Sequence, residues 1–119
     1  MATQLGPVIG RIGGGIDTTP VDDSQYGTTY KTIHTITVPD GETWLIAAVG
    51  QGRTNSSLSS RYARVNIDGV YADSDGGDSW AKMGVANTVT GPATALVELR
   101  CTGSSIAYFD GTVYVGKAS

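Results

Sequence analysis

Apolar and polar residues alternate along Arg61–Ile67. Ala63, Val65 and Ile67 share one face, and Tyr62, Arg64 and Asn66 share the other. Period-two alternation marks a strand with one face buried. Thr94–Thr102 repeats the pattern, with Ala95, Val97, Leu99 and Cys101 inward and Glu98 and Arg100 outward. Thr28–Val38, Val70-Tyr71, Ile106–Phe109 and Thr112–Gly116 are rich in β-branched and aromatic residues. Thr43–Val49 is nearly continuous in apolar residues, which suits the interior of a sandwich. Trp80–Val89 fits one bent strand or two short ones. Helical periodicity is sustained nowhere.

Three Asp-Gly pairs, Asp40-Gly41, Asp68-Gly69 and Asp110-Gly111, lie between these runs. Both residue types tolerate positive φ, as a tight hairpin turn requires, so each pair predicts a turn. Gly50–Ser60 and Asp73–Ser79 read as polar loops. The spacing of roughly eight short strands predicts an all-β fold: an antiparallel two-sheet β-sandwich, jelly-roll-like, over residues 28–119.

Residues 1–27 differ. Gly6-Pro7, Gly13-Gly14-Gly15 and Thr18-Thr19-Pro20 interrupt them too often for regular structure. Leu5, Val8, Ile9, Ile12 and Ile16 are nonetheless apolar, more than a solvated tail needs. The segment predicts an extended Gly/Pro-rich arm that orders against a neighbouring subunit or host surface, with these five residues making partner contacts. A flexible leader tucked onto the domain is the alternative.

The 119 residues suffice for one domain. A net charge of −3 disfavours a nucleic-acid groove, although Arg53, Arg61 and Arg64 leave room for a local basic patch. The single cysteine, Cys101, excludes an intramolecular disulfide and shares the parity of a buried stripe, so it reads as a small core residue. No apolar run approaches the ~20 residues of a membrane helix, and the N-terminus lacks the regions of a secretory signal. The expectation is synthesis in a cytoplasm without membrane association.

Candidate chemistry is sparse. His34 lies mid-strand between Thr32 and Ile36 and reads as an exposed or hydrogen-bonded strand histidine, since no nucleophile elbow accompanies any serine. The run Gly10–Gly15 lacks the preceding strand, the Lys-Ser/Thr and the helix of a phosphate loop. Nothing here predicts an enzyme or an obligatory cofactor. In Asp73-Ser74-Asp75-Gly76-Gly77-Asp78, alternate carboxylates and glycines can wrap a hard cation. Asp73, Asp75 and Asp78 are therefore candidate Ca²⁺ ligands, although a solvated acidic turn is the favoured reading, since a distal bidentate Glu and a flanking helix are missing. Trp80 beside that loop, with Tyr71, is a candidate glycan platform; core aromatics are the simpler account. Trp44 is assigned to the core, with an indole N–H that needs a partner. Arg64, on an outward face, is a candidate partner contact because arginine is enriched in interface hot spots.

The stretch Ile36-Thr37-Val38-Pro39-Asp40-Gly41-Glu42-Thr43-Trp44-Leu45-Ile46 resembles the strand–vPxGxxW–strand opening of small β-sandwich virion proteins of tailed bacteriophages. Ser105–Val115 is similar to the closing hairpin of those domains. The resemblance covers about residues 28–116 and is one of style, without a motif from which site residues transfer. It implies a head decoration (cement) protein, synthesised in the host cytoplasm and located in the virion. Such a protein bridges capsomers, with the major capsid protein or another virion protein as partner, and is often a homodimer or homotrimer. A tail or fibre component and a glycan- or receptor-binding module are the alternatives.

Overall fold

The computed structural model describes residues 16–118. Eight strands form two four-stranded sheets: β1 (Ile16–Tyr26), β2 (Lys31–Val38), β3 (Thr43–Thr54), β4 (Ala63–Ile67), β5 (Val70–Asp73), β6 (Ala81–Thr90), β7 (Ala93–Cys101) and β8 (Ile106–Lys117). Sheet I has the order β1-β8-β3-β6 and sheet II the order β2-β7-β4-β5. Every ladder is antiparallel. The chain is thus an all-β sandwich with jelly-roll strand order.

The core lies between the sheets. Trp44, Ile46 and Ala48 enter it from β3, Ile36 and Val38 from β2, and Val65 and Ile67 from β4. Val97, Leu99 and Cys101 enter from β7, and Phe109, Val113 and Val115 from β8. The alternation of β4 and β7 therefore has the predicted parity. The Trp44 indole N–H donates to Glu42 Oε1 at 2.8 Å, which satisfies the one polar atom of the largest core side chain.

Two expectations are corrected. The sandwich does not begin at Thr28: Ile16–Tyr26 is β1, paired along its whole length with β8. Its inward face carries Asp17, Thr19 and Val21 in place of three aliphatics, which conceals the alternation. Asp110-Gly111 does not turn the chain, and β8 runs through it unbroken. Gly111 lies across from Gly50 on β3, where a β-carbon on either would strike the other strand's backbone. The glycines serve close packing under the Phe109 ring.

Of the other Asp-Gly pairs, Asp68 (φ 52°) and Gly69 (φ 99°) close a two-residue hairpin between β4 and β5. Asp40-Gly41 turns the chain from sheet II into sheet I, with Gly41 at φ 81°. The stretch read as Trp80–Val89 is the single strand β6, which starts at Ala81, just after Trp80, and runs to Thr90.

Candidate functional surfaces

The register sets out the outer face of sheet I in rows. Ile16, Gly116, Leu45 and Thr88 form one; Thr18, Tyr114, Ala47 and Ala86 the next; Pro20, Thr112, Val49 and Gly84 the third. Ile16, Leu45, Val49 and Tyr114 are exposed large hydrophobics. Ile16, Leu45, Ala47, Tyr114 and Gly116 enclose a shallow depression among them. A fourth row is polar: Asp22, Asp110, Gln51 and Lys82. Beyond it, the Arg53 guanidinium lies 4.3 Å from the Tyr108 ring centre and 5.2 Å from that of Trp80. The two rings meet edge-on at 6.5 Å. Stacked between rings, Arg53 is held rigid with its charge partly accommodated by the π faces.

The outer face of sheet II is polar. Arg64 is bidentate to Asp73 (2.7 and 3.0 Å) and lies 4.0 Å from the centre of the exposed Tyr71 ring. The hydrogen bond to Asp73 is the main cause that holds the Arg64 guanidinium above its ordinary pKa; desolvation opposes it and nearby charge adds to it. Asn66, opposite both Tyr71 and Glu98, donates to Glu98 Oε1 at 3.3 Å. Arg100, opposite Arg64, donates to the Thr28 carbonyl and stacks 5.3 Å from the Tyr30 ring. Anion and π partners thus separate two like charges that the register brings together.

The acidic loop is held by its backbone. Gly77 accepts from Thr54 N at 3.0 Å and donates to the Arg61 carbonyl at 3.1 Å. Ser74 Oγ accepts from Ala63 N at 3.0 Å. Its carboxylates are not gathered: among the described residues no group of three or more His, Cys, Asp or Glu is placed to hold a metal ion. Asp73, the first candidate Ca²⁺ ligand, is committed to Arg64, while Asp75 and Asp78 stay exposed.

Other predicted residues separate as well. Tyr71 belongs to the sheet II face and Trp80 to the Arg53–Tyr108 cluster, so they form no common platform. Ile16 begins β1 at the apolar rows, and Leu5, Val8, Ile9 and Ile12 lie outside the described residues. His34 is neither exposed nor hydrogen-bonded through Nε2. It pairs with the buried Val97 after a bulge at Ile33, and desolvation lowers its pKa from 6.5. Leu45 and Val49 were hidden inside an apolar run read as wholly interior; the parity set by Trp44 was the available signal.

No protein-family model and no curated protein sequence matches this chain. Among solved structures, the CBM22-1 xylan-binding domain of Paenibacillus barcinonensis Xyn10C is similar with a TM-score of 0.53 and 13% identity, over 96% of this chain and 89% of that one. The mosquito-larvicidal Cry4Aa toxin of Bacillus thuringiensis matches at TM-score 0.47 and 8% identity, over 87% of this chain and 24% of its own length. The Clostridium thermocellum Xyn10B CBM22-1-GH10 modules match at 0.44 and 11%, over 76% and 19%. At such identities a likeness concerns fold alone. What this chain shares with the xylan-binding domain is the β-sandwich.

Proposed function

We propose that this chain is a non-enzymatic assembly protein of a phage particle, of the head-decoration type, docking on a neighbouring virion protein through the outer face of sheet I. The observation that carries this reading is the contiguous exposure of Ile16, Leu45, Val49 and Tyr114 in adjacent register rows. Strands with one solvated face ordinarily place polar residues there. Contiguous apolar surface is stabilised by removal from water at about 25 cal/mol per Å², and marks an interaction site. The row of Asp22 and Asp110 beside it favours an apolar partner patch with a basic rim. Trp80, Tyr108 and Arg53 at the far end are of the residue types that dominate interface energetics. A rigid sandwich repeated in many copies suits such a role.

Hydroxyl-radical footprinting tests this reading. Bound to phage heads that lack the protein, Tyr114 and Leu45 lose reactivity while Tyr71 keeps it; protection confined to Tyr71 refutes it.

A second reading, a glycan-binding module, rests on the sheet II face. There the exposed Tyr71 ring lies against Arg64, which pairs with Asp73, and opposite Asn66, which donates to Glu98, so a stacking surface and hydrogen-bonding groups share one face. Oligosaccharide binding abolished by Tyr71→Ala, with the fold preserved, favours it over docking.

A further inference from the structure

A two-sheet sandwich has four edge strands, each a row of unpaired backbone groups open to another chain. Three are blunted here. β1 carries Pro20 at its middle and Asp17, Asp22 and Asp23 along its length. β2 is broken by the bulge at Ile33 and starts at Lys31, which pairs with Asp23. β5 is four residues long. β6 is the least protected: its ten residues contain no proline, and its register with β3 has no irregularity. Lys82 is its single charge.

The hydrogen-bond phase of β6 follows from its end. Gly91 N donates to the Glu42 carbonyl at 2.8 Å, whereas the Thr43 carbonyl faces β8 and accepts from Ala118 N at 2.7 Å. Alternation along an antiparallel ladder then directs the N–H and C=O of Lys82, Gly84, Ala86, Thr88 and Thr90 away from β3. Among the described residues, no backbone hydrogen bond beyond the sheet ladders takes up these groups.

We propose that a second copy of this chain docks on β6, edge to edge and antiparallel, joining the two copies of sheet I into one eight-stranded sheet. The strand is its own complement. Pairing centred on Ala86 sets Gly84 against the partner's Thr88 and Lys82 against the partner's Thr90, so no like charges meet. The contact is isologous and closes at two copies. It also brings the Leu45 and Val49 patches of both copies onto one continuous outer face. This inference stands whether or not that face binds a virion protein, because it is tested on the isolated chain.

Light scattering across a concentration series gives twice the chain mass for the wild type. Ala86→Pro removes an outward N–H and gives a monomer with an unchanged circular dichroism spectrum. Ala86→Cys, whose only other cysteine is buried, forms a disulfide-linked dimer on mild oxidation, and Thr18→Cys on the β1 edge does not. A monomeric or trimeric wild type overturns the proposal. So does a dimer that survives Ala86→Pro, or one lost on deletion of residues 1–15 alone. Should Ala86→Pro fail to fold, absence of the Ala86→Cys cross-link overturns it.

Discussion

Gly111 faces Gly50 across the ladder between β8 and β3, and neither position has room for a β-carbon. One added at Gly111 would lie 2.7 Å from Phe109 Cζ and also meet the backbone of Val49 and Gly50. The ring and two backbones fill one space. Gly111→Ala is therefore expected to cost about 1–3 kcal/mol, the range for overpacking a core. A lowered urea midpoint with unchanged slope checks this; an unchanged midpoint means that the strands separate freely.

Truncation distinguishes arm from strand. Removing residues 1–15 keeps all eight strands, and cooperative thermal unfolding is expected to persist. Removing residues 1–27 deletes β1, leaves the Asp110 edge of β8 unpaired and uncovers the core beside Val21. That protein is expected to melt without a cooperative transition. Calorimetry on both forms is the check.

His34 makes stability depend on pH. Burial favours its neutral form, so the folded pKa lies below 6.5. Between that lowered value and 6.5 the unfolded chain binds more protons than the native one, and stability rises with pH. The contribution is complete above about 6.5 and is lost as the pH falls through this window. His34→Gln is expected to flatten the decline in urea midpoint between pH 7 and pH 5.

Calcium is expected to leave the melting temperature unchanged, as is EDTA, because Asp73 is engaged by Arg64 and the loop is held by its backbone. Asp73→Ala is expected to cost at most about 1 kcal/mol, less in high salt, as befits a partly exposed pair. A calcium-dependent rise in melting temperature that Asp73→Ala abolishes would restore the cation site.

The sequence was legible where one face of a strand is aliphatic and the other polar, as in β4 and β7. It misled where faces broke that rule. β1 turns Asp17 and Thr19 inward and Pro20 to the edge, so it passed for an arm. In β3, Leu45 and Val49 are apolar on the solvent face, so a half-buried strand passed for an interior one. Asp110-Gly111 has the composition of a turn because Gly111 must lie flat against Gly50. The surface clusters were illegible for another reason: Arg53 meets Tyr108, and Arg100 opposes Arg64, only through a non-local register. Tyr71 and Trp80, close in sequence, end apart: Tyr71 lies in β5 of sheet II, whereas Trp80, just before β6, meets Arg53 and Tyr108 of sheet I.

The proposed docking face is the outer face of sheet I. Its most direct test is the affinity of purified protein for phage heads lacking it, measured by co-sedimentation for the wild type, the double variant Leu45→Lys/Val49→Lys, and Tyr71→Ala. Both lysines project from an exposed face and leave the core intact. Docking through that face predicts at least about a tenfold loss for the double variant, or ~1.4 kcal/mol, and wild-type binding for Tyr71→Ala. Undiminished binding by the double variant would contradict it.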